Sequence, residues 1–335
     1  MSDVAEQIEG VFAESGTRGF LHAHEVGRAD GPEVAVGADE PVVLASVFKI
    51  PVAVAYAREV AAGRLDEQER TRIPARFRVG GIGTAGCADD VEMTWRDAAL
   101  FMLTMSDNAA TDVLYHRLGG ATVDGLLTEL GLSHTRLIGC CEDLFTSLAA
   151  DLGGAGAGAG PGASGAAGGA YGADGAGGAG GSGSPGPPGD EPLDFEGLLA
   201  AATPEQIWRS AVLDPARTSA STPRDTTRLL DAIWTDRAGP PEACACVRSM
   251  MSRQIWPHRL SSGFASGVTV AAKTGTLPAV RNEAGVVTCP DGRRFAVAVF
   301  TRAATLDERL PAVDASIGRT ARLAVDHLRR YTARG

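Results

Sequence analysis

The spacing of hydrophobic and polar residues changes twice along the chain, from strand-like near the start to helical in the middle and back to strand-like near the end. Apolar residues at every second position predict strands at residues 17–26, 33–36, 268–274, 282–288 and 294–301. Apolar residues that recur about every 3.6 positions predict helices within residues 4–14, 42–235, 243–254 and 313–330.

The order of these elements predicts how the chain is divided. Strands at both ends with helices between them indicate an α/β (α+β) protein, with one domain built from residues 1–45 and 240–335 and an all-helical domain from residues 46–239. Within the helical part, residues 153–190 are almost wholly Gly, Ala, Ser and Pro. Such a segment buries too little apolar surface to offset the entropy lost on ordering, so we expect a disordered insertion there.

The charge balance excludes some classes of partner. The 335 residues carry a formal net charge of −10, which argues against a nucleic-acid-binding protein and against a basic membrane-binding surface. No apolar run approaches the roughly 18 residues that a membrane span needs. We therefore expect no nucleic-acid or membrane partner; our separate expectation is a monomer that acts on a small molecule.

The N-terminal residues and the cysteines indicate the cellular compartment in which the protein is expected. The first ten residues have neither the basic start nor the apolar segment of a signal peptide, so a cytoplasmic protein is expected. The six cysteines form no recognisable framework and are expected to be reduced thiols. His22 and His24 share one strand face without a third ligand, so neither a metal nor another cofactor is expected.

Two residue types are rare, and their positions are informative. Only Lys49 and Lys273 are lysines among 31 basic residues, and only Asn108 and Asn282 are asparagines. A lysine amine can lose its proton when it is desolvated, whereas an arginine effectively never does. The two lysines are therefore candidates for chemistry that arginine cannot perform.

The first lysine belongs to the segment Ser46-Val-Phe-Lys49, at the start of a predicted helix. Residues three apart on a helix share a face, so the Lys49 amine is expected to reach the Ser46 hydroxyl. The next residues, 50–57, are apolar all round, which is typical of a buried helix. A Ser-x-x-Lys segment also occurs by chance about once in a chain of this length, so this motif decides nothing alone.

The segment Ser106-Asp-Asn108 contains one of the two asparagines. It could simply cap a helix over residues 109–118, because Ser and Asp are preferred N-cap residues. Alternatively, Ser106 relays a proton, and the Asn108 amide orients the lysine and a substrate.

The second lysine lies in Lys273-Thr-Gly275, at the end of a β-branched strand. The segment could be an ordinary strand end with a turn glycine. The functional interpretation is an edge strand that a peptide-like substrate joins, with charge from Lys273 and close approach allowed by Gly275. Because all three motifs occur together and include both lysines, coincidence is not a plausible explanation.

In this order the three motifs resemble the signature of the serine β-lactamase and penicillin-binding-protein superfamily. The similarity is greatest to class A β-lactamases and extends over nearly the whole chain apart from the Gly-rich insertion. The stretches that carry it are Ser46-Val-Phe-Lys-Ile-Pro51, Thr222-Pro-Arg-Asp225, Arg281-Asn-Glu283 and Asp307-Glu-Arg309. The resemblance implies a five-stranded antiparallel sheet flanked by helices plus an all-helical domain, with the active site between them.

The resemblance also implies catalytic roles. Ser46 would be the nucleophile, Lys49 would activate it, and Ser106 would pass a proton to the leaving nitrogen. The backbone amides of Ser46 and Thr276 would form the oxyanion hole, whose donors typically contribute about 3–4 kcal/mol to the transition state.

By the same resemblance, other residues would bind the substrate. Lys273 and Thr274 would hold a carboxylate on the acyl substrate, beside Gly275. Arg281 and Arg259 are additional candidates for the carboxylate, although each could instead be a solvated surface arginine.

One segment departs from the class A pattern. Class A enzymes have Glu-x-x-Leu-Asn in the omega loop, where the glutamate activates the deacylating water. The matching region here is Cys140-Cys-Glu-Asp-Leu-Phe145, and alignment on Leu144 puts Cys141 in the position of the glutamate. Glu142 is one residue from that position and is the candidate catalytic glutamate. Three later glutamates are more distant candidates: Glu191, Glu196 and Glu205.

The resemblance therefore implies a serine hydrolase that opens a β-lactam, or a related amide or ester, by attack of Ser46. A cytosolic esterase, a transacylase or a DD-peptidase-like enzyme with slow β-lactam deacylation stays open as the alternative. A catalytically idle binding protein is a third hypothesis, and the presence of both lysines in the motifs argues against it.

Overall fold

The computed structural model describes residues 2–28, 30–80, 82–153 and 193–332. The insertion predicted to be disordered and Glu191 lie outside these ranges, except for residue 153. The helices are α1 (Ser2–Glu14), α2 (Lys49–Ala61), α3 (Trp95–Thr104), α4 (Asn108–Leu118), α5 (Gly120–Glu129), α6 (Cys141–Asp151), α7 (Phe195–Ala201), α8 (Pro204–Arg209), α9 (Pro223–Trp234), α10 (Pro241–Met251) and α11 (Pro311–Thr332). The strands are β1 (Thr17–Glu25), β2 (Glu33–Val36), β3 (Val42–Val43), β4 (Arg70–Ile73), β5 (Val91–Thr94), β6 (Ala220–Ser221), β7 (Thr269–Leu277), β8 (Val280–Thr288) and β9 (Arg294–Ala303).

Five strands from the two ends of the chain form one antiparallel sheet in the order β2-β1-β9-β8-β7. The α/β fold class and the five-stranded antiparallel sheet are thereby confirmed. Strand β7, which carries the Lys273 motif, lies at the edge of the sheet. One side of this strand is therefore not paired with another strand of the sheet.

The sheet separates two hydrophobic cores because alternate residues of a strand point to opposite faces. On β9, Phe300 faces the larger core, which it shares with the helices of the middle of the chain. Its neighbour Val299 faces the smaller core, which contains Ile8 of α1 and Ile317 of α11. The helix that begins at Lys49 of the first motif is embedded in the larger core, because residues Lys49 to Ala57 of α2 are all buried.

The periodicity predicted helices throughout the middle of the chain, but this region also contains short strands. Strands β4 and β5 pair with each other, and β3 pairs with β6 through Val42 and Ser221. Strands β3 and β6 have two residues each, which is too short for a period of two to stand out, and β4 and β5 have only one buried residue between them. The β3–β6 pair fixes the chain just before Ser46.

The second asparagine ties that same chain segment to the main sheet. Asn282 on β8 is buried and donates from Nδ2 to the carbonyl oxygen of Val43 at 2.8 Å. Its Oδ1 accepts a hydrogen bond from the backbone N–H of Thr301 on β9 at 3.2 Å. A single amide side chain therefore positions the approach to Ser46 relative to two central strands.

Two global features complete the fold. All six cysteines are free thiols. Across the described part of the chain, none of the helices combines the length and apolarity that crossing a membrane requires.

We expect Asn282→Ala to lower the free energy of unfolding by about 2–3 kcal/mol, because it leaves a buried carbonyl and a buried N–H without their partners. Urea unfolding followed by circular dichroism measures this change. Thr288→Ala at the end of the same strand is the matched control. If Asn282→Ala lowers the free energy of unfolding no more than the control does, the Asn282 side chain does not stabilise the segment before Ser46.

Candidate active site

Ser46 lies on a short 3-10 turn, Ala45–Phe48, and Lys49 is the first residue of the helix that follows. Helix α2 therefore begins three residues later than the sequence predicts. Ser46 is half-buried, whereas the Lys49 side chain is fully buried. Ala45 has a φ of 46°, which costs energy for a residue with a Cβ. Strain of this kind is typical of functional sites, where the surrounding structure holds it.

The buried amine of Lys49 joins the first motif to the second. Its Nζ donates to Asn108 Oδ1 at 2.7 Å and to the carbonyl oxygen of Ser106 at 2.8 Å. Ser106 Oγ is 3.3 Å from the same nitrogen. In the described structure, none of the hydrogen bonds of Lys49 goes to Ser46 Oγ. The lysine is thus next to the proton-relay candidate and one helical turn from the nucleophile candidate.

Asp107 caps the helix and Asn108 contacts the lysine, whereas proton relay by Ser106 stays a prediction. Asp107 is the N-cap of α4 and accepts a hydrogen bond from the backbone N–H of Ala110 at 2.9 Å. Ser106 has a φ of 67°, which turns the chain sharply just before this cap. Asn108 holds Lys49 through Oδ1 and donates from Nδ2 to the carbonyl oxygen of Val79 at 3.1 Å.

Lys273 is the second cation of the site. Its side chain is fully buried on β7, and its Nζ donates to the carbonyl oxygen of Thr274 at 2.8 Å. Burial, together with the positive charges of Lys49 and Arg259, lowers the pKa of Lys273 well below its usual value. Binding of an anion such as a carboxylate would offset this repulsion.

Gly275 is needed for a reason that the sequence did not suggest. A Cβ at this position would lie 2.7 Å from the carbonyl oxygen of Leu44 and 3.2 Å from the Ala45 Cβ. The missing side chain therefore lets β7 pack directly on the turn that carries Ser46. The structure thus gives Gly275 a role in bringing the third motif beside the first, and its role in substrate approach stays a prediction.

The backbone of Thr274 and Thr276 faces the open edge of β7. The Thr274 N–H donates to Gln254 Oε1 at 2.7 Å, outside the sheet. Thr276 is two residues further and so presents its N–H on the same edge. Its exposed hydroxyl accepts a hydrogen bond from Arg259 Nη2 at 2.9 Å.

Of the two candidate arginines, only Arg259 contacts the third motif. Its buried guanidinium also binds Asp314 at 2.7 Å and the carbonyl oxygen of Gly275 at 3.0 Å.

The prediction that Arg281 binds a substrate carboxylate is wrong. Its guanidinium donates to three backbone carbonyl oxygens, at 2.8 to 2.9 Å, and so fastens the β7–β8 turn: those of Leu277, Val280 and Glu308. None of these three hydrogen bonds goes to a residue of the three motifs.

The assignment of Glu142 as the catalytic glutamate is also wrong. Its carboxylate is about a third exposed, and it lies 3.2 Å from His116 Nε2 and 3.8 Å from Arg76 Nε. Successive residues of a helix point about 100° apart, so a shift of one position turns this side chain away from Lys49.

Cys141 takes the place beside the lysine instead. It is buried, and its Sγ is 3.4 Å from Asn108 Oδ1, the oxygen that also accepts from Lys49. Burial raises the pKa of this thiol, which keeps it neutral. A neutral thiol is a poor general base, so this position cannot activate water as a carboxylate would.

Three residues that the sequence analysis did not single out support the site: the buried Asp112 and Glu283 and the half-buried Gln254. Asp112 accepts hydrogen bonds from the backbone N–H groups of Cys141 at 2.7 Å and Glu142 at 2.9 Å, and burial raises its pKa to about 7. Gln254 connects Thr274 to the buried Glu283, to which its Nε2 donates at 2.5 Å. Only Asp112 had a sequence signal, because it lies four residues after Asn108 on the same helix face.

Comparison with known proteins shows the family and the fold to which this chain is similar. The model of a family described as "Beta-lactamase enzyme family" matches residues 3–328. The beta-lactamase regulatory protein BlaB of Streptomyces cacaoi is 27% identical over 315 residues, which are 90% of this chain and 90% of that protein.

Solved structures show the same fold. A beta-lactamase from Sphaerobacter thermophilus superposes with a TM-score of 0.68 at 22% identity, covering 98% of this chain and 97% of its own. A mutant of PBP-A, solved as an acyl-enzyme complex with penicillin G, superposes with a TM-score of 0.67 at 21% identity, covering 98% of both chains.

The placement of the cysteines is tested by thiol labelling. Only a thiolate reacts readily, so the exposed Cys87 should be alkylated by iodoacetamide in the native protein well before the buried Cys140 and Cys141. Peptide mapping by mass spectrometry measures the order, and denatured protein is the control in which all should react. Labelling of Cys141 as fast as Cys87 would contradict its buried position beside Asn108.

Proposed function

This chain belongs to the beta-lactamase enzyme family, and we propose that it is a serine hydrolase which forms an acyl-enzyme at Ser46 with β-lactams or related amides and esters and releases it slowly. The observation that carries this proposal is the contrast between two parts of the site. Ser46, Lys49, Ser106 and Asn108 supply what acylation needs, whereas a neutral thiol occupies the position where a water-activating carboxylate is needed.

Acylation is proposed to begin at Ser46 Oγ. Lys49 Nζ takes the hydroxyl proton while the oxygen bonds to the carbonyl carbon of the substrate. The oxyanion that forms is stabilised by the backbone N–H groups of Ser46 and Thr276, which lie on elements that pack directly together at Gly275. The C–N bond then breaks, and Ser106 Oγ donates a proton to the nitrogen and regains one from Lys49 at 3.3 Å.

The substrate is proposed to carry a carboxylate. Lys273 is buried, and the charges of Lys49 and Arg259 help to lower its pKa, so a carboxylate bound beside it would favour its charged form. The hydroxyl of Thr276, which Arg259 orients, is exposed and can donate to a bound carboxylate. On the open edge of β7 the backbone groups of Thr274 already have partners, so Thr276 is the residue whose backbone an amide of the substrate would join.

Release of the acyl group is the step that this site supports least. Hydrolysis of an ester intermediate needs a general base near the attacking water, and efficient bases have a pKa close to the working pH. Cys141 is a neutral thiol, and Glu142 faces His116 outside the site. The acyl-enzyme is therefore proposed to persist, or to pass its acyl group to an amine or alcohol as a transacylase would.

A regulatory role is the second candidate. The relative from Streptomyces cacaoi is named a beta-lactamase regulatory protein. A site that acylates readily and releases slowly suits a covalent receptor, because a long-lived adduct reports that a β-lactam has been present. In that case the acyl-enzyme itself would be the functional product.

Incubation with benzylpenicillin should add one penicilloyl group to the intact protein, and the adduct should persist after excess ligand is removed. Intact-mass spectrometry measures the adduct, and peptide mapping should place it on Ser46. Ser46→Ala should abolish labelling, and Lys49→Ala should slow it by about 10²- to 10⁴-fold, as is usual when a general base is lost. Rapid product formation with no adduct, or no reaction at all, would reject the proposal.

Cys141→Glu should speed loss of the adduct by at least about tenfold, because it puts a general base beside Asn108. The decay of the adduct mass with time measures this rate. Cys141→Ser controls for loss of the thiol, and Glu142→Gln controls for charge near α6. Equal decay in Cys141→Glu and the wild type, with acylation intact in both, would show that another feature limits release.

A further inference from the structure

A cluster of three metal-ligating side chains lies where α4 meets the start of α6, apart from the residues proposed for acyl transfer. His116 Nε2, Cys140 Sγ and Glu142 Oε2 all lie within 4.8 Å of one another. The His116–Glu142 distance is 3.2 Å, and the His116–Cys140 distance is 3.9 Å. The three atoms belong to three different donor types: an imidazole, a thiol and a carboxylate.

The two distances from His116 Nε2 are close to those between ligands in a tetrahedral zinc site. Bonds of about 2.0 Å to nitrogen and oxygen and about 2.3 Å to sulfur put ligand atoms roughly 3.3–3.6 Å apart at tetrahedral angles. The two measured distances from His116 Nε2 lie on either side of this range. A small movement of the half-exposed His116 and Glu142 side chains is enough to reach it.

Neighbouring groups hold the three side chains in these directions. The His116 ring stacks on Phe77 with ring centroids 5.2 Å apart. Arg76 Nε lies 3.8 Å from Glu142 Oε1, which leaves the other oxygen, Oε2, facing His116. Asp143 Oδ2 is 3.4 Å from Cys140 Sγ and also accepts from the Cys140 backbone N–H at 2.8 Å. The ring stacking and the Arg76 contact orient the His116 and Glu142 side chains, as outer partners do in metal sites, while Asp143 fixes the backbone of Cys140.

We propose that His116 Nε2, Cys140 Sγ and Glu142 Oε2 bind one Zn²⁺ ion, with a water molecule as the fourth ligand. The thiol loses its proton to solvent when the metal binds. Thiolate and imidazole donors favour zinc over calcium or magnesium, which prefer oxygen ligands.

The position of the site gives the metal a structural consequence. Cys140 and Glu142 flank Cys141, whose thiol contacts Asn108. Zinc would join the start of α6 to α4 and so hold Cys141 in place. This inference concerns binding and stability, and it does not depend on the proposed acyl transfer.

The test uses the full-length protein after metal removal. Titration with ZnCl₂ against a colorimetric chelator should show one equivalent bound, and Co²⁺ should give a near-ultraviolet thiolate-to-metal absorption band. Cys140→Ser should abolish that band. His116→Gln and Glu142→Gln should each weaken zinc binding by at least tenfold, since loss of even an outer partner costs about that much.

Two cysteine variants are the matched controls. Cys87→Ser, at an exposed thiol, and Cys246→Ser, on α10, should keep both the zinc affinity and the cobalt band. Glu142→Gln guards against misfolding as a cause, because its side chain is partly exposed and not part of either core. Absence of zinc binding at micromolar concentrations would overturn the proposal, as would binding unchanged in all three ligand variants or a cobalt spectrum without the thiolate band. Those results would leave His116 and Glu142 as a simple ion pair.

Discussion

The site depends on one buried amine. Lys49 has no exposed surface, and its hydrogen bonds go to Ser106 and Asn108, whose loop it holds against the start of α2. An isolated buried amine is costly, so the polar atoms around it are required partners rather than optional ones. Asn282, the strained Ala45 and the absent side chain of Gly275 all serve to bring Ser46 and β7 to this amine.

The sequence predicted the features that repeat along the chain or combine rare residues. The strands of the main sheet and the long helices were predictable because each carries several turns or pairs of a regular pattern. Strands β3 and β6 were not, because each has two residues and their pairing joins Val42 to Ser221. The three motifs were predictable since they contain both lysines, which is a property of composition rather than of geometry.

Side-chain direction was the part that the sequence could not supply. Arg281 follows a tight turn and folds back onto the carbonyl oxygens of Leu277 and Val280, whereas Arg259 reaches Thr276 from a distant loop. Glu142 and Cys141 are neighbours in sequence, but one points toward His116 and the other toward Asn108. That difference in direction underlies the proposed slow release of the acyl group and the cluster proposed to bind zinc.

The central claim is that Ser46 Oγ is the atom that becomes acylated. A crystal structure of the protein after treatment with benzylpenicillin tests this claim most directly. The account predicts continuous density from Ser46 Oγ to the penicilloyl carbon, with the carbonyl oxygen between the N–H groups of Ser46 and Thr276 and the carboxylate near Lys273. Density on Cys141, or a ligand bound without a covalent bond to Ser46, would contradict it.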